Sequence, residues 1–160
     1  MAETDGNHYA QIAALGLIAG ARSMLVPAVL SDHFSRHQPE PPLAGPLALM
    51  TSPLASTLFK FFAVGEFMVD KIPGIPARTE APGVLGRVGA GVLAGFALSS
   101  AHNKNRVVGA VVGGLTALVS THVSYNLRLF LTKTLPLPDF AVAFAEDALV
   151  INGARRVLGG

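Results

Sequence analysis

The chain contains no cysteine. That excludes a disulfide, a thiolate metal site and a CxxC redox pair. Charge is scarce too. Only 14% of the 160 residues are Asp, Glu, Lys or Arg, against roughly 25% in a typical soluble domain. A soluble fold of this size could bury a core, but its surface would lack charge for solubility. The net charge is +2, and the pI near 9.3 reflects a narrow excess of Lys and Arg, not a basic patch. No nucleic-acid partner is expected from such a balance. GxSxG, HExxH, P-loop and dinucleotide fingerprints are all missing. The run Gly89-Ala90-Gly91-Val92-Leu93-Ala94-Gly95 follows no strand pattern, so these are packing glycines. Neither an enzyme nor a cofactor is expected. The opening MAETDGNHYA has no Lys or Arg, so the first apolar run is expected to stay in the mature protein. Ala2 and the absence of cysteine leave no lipidation motif.

What the chain does have is apolar length. Hydrophobic residues make up 51% of it, and the mean hydropathy is +0.49. Five apolar stretches stand out: residues 9–31, 53–72, 84–101, 107–131 and 140–158. A helix needs roughly 20 apolar residues to cross a bilayer. Between the stretches lie breaks. Residues 33–46 are polar and proline-rich, 73–83 hold three prolines, 102–106 read as a tight turn, and 135–139 end in Asp139, a candidate N-cap. The expected fold is all-α: one polytopic membrane helical bundle of about five transmembrane helices.

Small residues pattern three of these helices. Gly16 and Gly20, Gly91 and Gly95, and Gly109 and Gly113 each form GxxxG. In apolar helices this spacing lets backbones approach closely. Packing within the chain is the first reading, and contact within a homodimer or higher homo-oligomer the second. Phe61-Phe62-Ala63-Val64-Gly65-Glu66 resembles Val142-Ala143-Phe144-Ala145-Glu146 in pattern. Each lies on the second helix of a two-helix unit, with one helix between the units. That suggests a 2+1+2 inverted repeat, a geometry common in transporters. Loop charge gives no orientation. Lys71, Arg78, Arg87, Arg128 and Lys133 fall on one side, and Arg36, Lys104, Arg106, Arg155 and Arg156 on the other.

Two acidic clusters interrupt the apolar runs: Glu66 with Asp70, and Glu146 with Asp147. An Asp at a helix centre costs roughly 2.5–3.5 kcal/mol to insert on translocon scales. Carboxylates kept there imply a polar interior. Glu66 and Asp70 are spaced i, i+4 and share a helical face. They can bind a cation or share a proton, or Asp70 with Lys71 can simply mark the helix end. Glu146 and Asp147 point about 100° apart on a helix. One of them is a natural partner for Arg22, which needs a counter-charge within the first stretch.

His122 sits among Ser120, Thr121 and Ser124, either as a proton carrier or as a packing histidine. Asn126 and Asn152 are candidates for hydrogen bonds across helices. Lys60 either snorkels to an interface or pairs with an acid. His33 and His37 have metal spacing, but the proline-rich surroundings argue against a metal there, and no metal is assigned.

Glu66-Phe67-Met68-Val69-Asp70-Lys71-Ile72-Pro73-Gly74-Ile75-Pro76 is the most distinctive segment. With Gly20-Ala21-Arg22-Ser23, Gly86-Arg87-Val88-Gly89-Ala90-Gly91 and Ala145-Glu146-Asp147, it resembles the bacterial integral membrane family catalogued as Domain of Unknown Function 4126. The resemblance implies a compact multi-pass helical protein of the bacterial inner membrane and no established activity. The chain departs from the pattern where relatives carry Lys near the end of the fourth helix; it has His122 and Arg128 there.

The expected function is transport of, or a channel for, a small cation or a proton-coupled solute. Glu66, Asp70, Glu146, Asp147, Arg22 and His122 are the candidate binding residues. Membrane lipids are the expected surroundings. The alternative is a non-transporting membrane scaffold or assembly protein whose buried charges form a structural ion-pair network. An intramembrane enzyme ranks last, for want of a nucleophile and base.

Overall fold

The structure is a computed structural model that describes residues 2–69, 81–133 and 138–159. Every regular element among them is helical, and no strand occurs among the described residues. Helix α1 covers Ala2–Ala21, α2 Leu25–Arg36, α3 Pro53–Val69, α4 Ala81–Ala101, α5 Arg106–Lys133 and α6 Asp139–Val157. A 3-10 helix, Gly45–Thr51, precedes α3. Asp70 and the proline-rich segment after it lie outside the described residues.

The first apolar stretch, expected as one helix, is two. Pro27 explains where the first helix must stop. It has no amide, and in a continuous helix its ring would crowd the Ser23 carbonyl four residues back. The chain therefore leaves α1 after Ala21 and restarts at Leu25. Pro27 then sits in the first turn of α2, where amides lack intrahelical acceptors in any case.

The break also reverses the chain. Arg22 meets Asp147 while Gln11 Nε2 donates to the Val157 carbonyl at 2.5 Å, so α1 and α6 are antiparallel. Met24 meets Glu66 while Asp32 meets Lys60, so α2 and α3 are antiparallel. The far end of α2, at Arg36 and His37, lines the same cleft as Leu158 at the end of α6. Helices α1 and α2 thus form a hairpin with Arg22, Ser23 and Met24 at its tip.

The tip does not reach the end of the bundle. Ser120 Oγ donates to the Leu17 carbonyl at 2.6 Å, and Thr121 Oγ1 to the Gly20 carbonyl at 3.3 Å. Both donors lie near the midpoint of α5. That helix has 28 residues, or about 42 Å at 1.5 Å per residue.

Glycines set the spacing of α1, α4 and α5. A methyl group at Gly16 would lie 2.6 Å from the Gly113 carbonyl oxygen, and one at Gly109 2.5 Å from that of Gly95. These backbones touch, so any side chain would force the helices apart. All three GxxxG pairs pack within the chain. The core beside them is aliphatic: Ile12, Leu15, Ala19, Ala94, Ala97, Leu98 and Ala117 are all buried.

The outer surface is apolar as well. On α5, Val107, Val111, Leu115, Val119, Val123 and Leu127 are exposed at every fourth position. Leu54, Leu58, Phe61, Phe62 and Met68 are exposed on α3. Soluble monomers rarely expose continuous apolar faces of this size. Helices α4 and α5 are each long and apolar enough to cross a membrane. The 3-10 helix and α3, bent by 80° at their junction, reach that length and hydropathy only when taken together, as a broken span or a re-entrant loop. These features are consistent with a membrane protein.

The connections differ from expectation at their edges. Helix α2 continues to Arg36, so His33 is helical rather than in a loop. The tight turn after α4 is present, with Asn103 at φ 53°. Asn105 Oδ1 then accepts the Val107 and Val108 amides at 3.0 and 3.1 Å, capping α5. Pro138, not Asp139, occupies the N-cap position of α6, and the helix starts at Asp139.

Candidate functional site

The charged residues gather around the hairpin tip. Two half-helices meet there, and their dipoles dictate what suits each end. The start of α2 has free amides and a partial positive charge; the end of α1 has free carbonyls and a partial negative charge. A carboxylate meets the first, and a guanidinium lies beside the second.

The carboxylate is Glu66, one turn before the end of α3. Its Oε1 accepts from the Ser23 amide at 3.0 Å and the Ser23 hydroxyl at 2.7 Å. Its Oε2 accepts from the Met24 amide at 2.8 Å. Helix α2 has no acidic residue in its first turn and no cap from its own N-cap side chain. The capping group comes from another helix, 42 residues on.

The guanidinium is Arg22, which is 1% exposed and heads the largest fully buried side chains. Its Nε donates to Asp147 Oδ1 at 2.8 Å, and its Nη2 contacts the same oxygen. Asp147 is itself buried. The Arg22 guanidinium also lies over the Phe67 ring, 4.8 Å from its centroid, a cation–π distance. In such a site water offers little screening, and these contacts replace hydration.

Three of the six residues singled out in the sequence, Arg22, Glu66 and Asp147, come together at the tip. Glu66 and Asp147 bind it directly, through Arg22 and the turn after it. Glu146 faces another way, lining a cavity of about 360 Å³ with Ala21, Ser124 and Arg128 between α1, α5 and α6. His122 is exposed on α5, and no contact among the described residues joins it to the tip. Asp70 lies outside the described residues.

The other polar expectations resolve locally. Asn126 and Asn152 donate to carbonyls four residues back on their own helices, at 2.8 and 2.7 Å, and not across helices. Lys60 pairs with an acid: its Nζ lies 2.5 Å from Asp32 Oδ1, while Arg36 Nε is 3.1 Å from Oδ2. The rings of His33 and His37 are 5.1 Å apart. Among the described residues, no group of three or more His, Cys, Asp or Glu side chains is arranged to hold a metal.

Sequence reasoning missed the Ser23 and Met24 amides, Phe67 and Asp32. Pro27 carried the signal for the first two, because a proline there frees the backbone just upstream. Nothing in the sequence signalled Phe67, whose neighbour Arg22 is 45 positions away.

No curated protein and no solved structure matches the chain. A family match does cover almost all of it, from residue 10 to residue 155. It includes the hairpin, the Glu66 helix and the Asp147 helix, and on it the chain belongs to the family described as Domain of unknown function (DUF4126).

Proposed function

We propose that this chain is a small multi-pass protein of the bacterial inner membrane that moves a small cation or a proton-coupled solute, with the hairpin tip as its gate. The carrying observation is that a titratable carboxylate, Glu66, closes a helix break midway along α5. Irregular backbone at membrane depth is tolerated only where protein buries it or where it lines a cavity. Broken helices of this kind supply the binding sites of many transporters. Protonation of Glu66 leaves it one full acceptor oxygen instead of two, and capture by a cation draws on the same lone pairs, so either weakens its hold on Ser23 and Met24. The tip is then freer to move. Arg22 and Asp147 hold the other side of the gate, and Glu146 faces the adjoining cavity.

In this reading α3, α4, α5 and α6 cross the membrane, and α1–α2 enters and returns as a re-entrant hairpin. Helices α3 and α6 run antiparallel, as an inverted repeat requires, although Glu66 lies near the end of α3 and Glu146 in the first half of α6, so the two acids do not hold equivalent positions. The repeat is otherwise incomplete, because α2 has 12 residues where α5 has 28.

A second reading is the scaffold. It is favoured by the bonding itself: both oxygens of Glu66 and Oδ1 of Asp147 are already engaged within the protein. Reconstitution separates the two. Wild type and Glu66→Gln are placed in liposomes carrying pH-sensitive and cation-sensitive dyes. Flux in the wild type that Glu66→Gln abolishes, with the fold retained, supports transport. Flux no greater than in empty liposomes for protons, monovalent and divalent cations leaves the scaffold.

A further inference from the structure

A cleft of about 660 Å³ lies between α2, α3 and α6, a volume within the usual range for small-molecule sites. It arises because α3 packs on α2 while α6 packs on α1 and α2, leaving a gap that α2 floors. Its walls are of two kinds. Along one length run Leu25, Val29, Ala63, Val64, Phe67 and Ile151. At the other end stand Arg36, Lys60 and Arg155, with His33, His37 and one carboxylate, Asp32.

Charge decides what can enter. Asp32 is held by both Lys60 and Arg36, so three fixed cations face one anion that is already neutralised. The end of the cleft therefore attracts an anion and repels a cation. The position of Val64 decides where the occupant comes from. It lines the cleft and is also 55% exposed, among the apolar residues on the outer face of α3. The apolar wall thus opens onto the surface that would face lipid, while the cations sit where α2 and α6 end.

We propose that this cleft binds one anionic phospholipid, with its phosphate at Arg36, Lys60 and Arg155 and an acyl chain along the apolar wall toward Phe67. Basic pockets between membrane helices are suited to anionic headgroups. The assignment stands apart from the transport reading, since it uses neither Glu66 nor Asp147. It does reach the tip physically, because Phe67 lines the cleft and its ring underlies Arg22.

The test is lipid retention by the full chain in an uncharged detergent. Mixed micelles supply phosphatidylglycerol or phosphatidylcholine, and native mass spectrometry counts the lipid bound. Wild type should keep one phosphatidylglycerol under conditions that strip phosphatidylcholine. Arg36→Gln, Lys60→Gln and Arg155→Gln should each weaken retention about fivefold, and the triple variant should lose it. Arg106→Gln, an exposed cation outside the cleft, should change nothing. Val64→Trp narrows the apolar wall without touching a charge and should also lower retention. Helicity and elution volume confirm that each variant is folded. Equal retention of the two lipids, or full retention by the folded triple variant, overturns the proposal. So does displacement of the lipid by inorganic phosphate with Val64→Trp neutral, which would make this a free-phosphate site.

Discussion

Glu66 closes helix α2 from a different helix: its Oε2 lies 2.8 Å from the Met24 amide, and its Oε1 takes both the amide and the hydroxyl of Ser23. The contact makes the hairpin tip depend on α3. Glu66→Ala leaves the two amides without an acceptor and should cost about 2–3 kcal/mol, the scale of hydrogen bonds to a charged group. Glu66→Gln keeps one acceptor oxygen and should cost less. Thermal unfolding in detergent ranks the variants. A loss below that of an exposed control such as Glu40→Ala would remove Glu66 from the tip.

Arg22 and Asp147 should behave as a coupled pair. Removing one partner strands a buried charge, and Arg22→Ala should destabilise by about 3–5 kcal/mol. Adding Asp147→Leu removes the orphan and should recover part of that loss. A double-mutant cycle measures the coupling. The coupling of Arg22 to Asp147 should exceed its coupling to the adjacent Glu146. The reverse order would mean that α6 is rotated from the position described.

The pair formed by Asp32 and Lys60 should matter much less to stability. Its distance is short, 2.5 Å, but the Lys60 side chain is 49% exposed. Exposed ion pairs contribute about 0–1 kcal/mol. Lys60→Met should therefore shift the unfolding midpoint far less than Arg22→Ala. Comparable shifts would indicate that the cleft is closed to solvent.

The glycines offer a test of helix contact with a built-in control. Gly109→Ala places a methyl group against Gly95 and Ser99 and should cost about 1–3 kcal/mol by overpacking. Gly89→Ala meets nothing within 4 Å and should be neutral or slightly stabilising, because alanine is the better helix former. Both are read by unfolding at two protein concentrations. The Gly109 effect should not depend on concentration, since its contact lies within one chain. A concentration-dependent loss would point to an oligomer instead.

The sequence by itself determined the class of molecule. Low charge, long apolar stretches and GxxxG spacing are local properties, and they required apolar helices packed backbone to backbone. It also marked Arg22, Glu66 and Asp147 as residues that need partners, because charge in apolar surroundings is costly wherever the chain goes. It held Pro27 in plain view, and with it a reason for the first helix to break. What the sequence could not decide was which way the chain turned after that break, because a proline ends a helix without choosing its next direction. Tertiary packing chose. Glu66 supplied the acceptor that lets α2 begin at Leu25, and Asp147 rather than Glu146 reached Arg22 because the 100° between neighbours on α6 admits only one. The cleft beside α2 is likewise a product of packing alone. Arg36, Lys60 and Arg155 lie far apart in the chain, and only the folded hairpin brings their charges to one end of it.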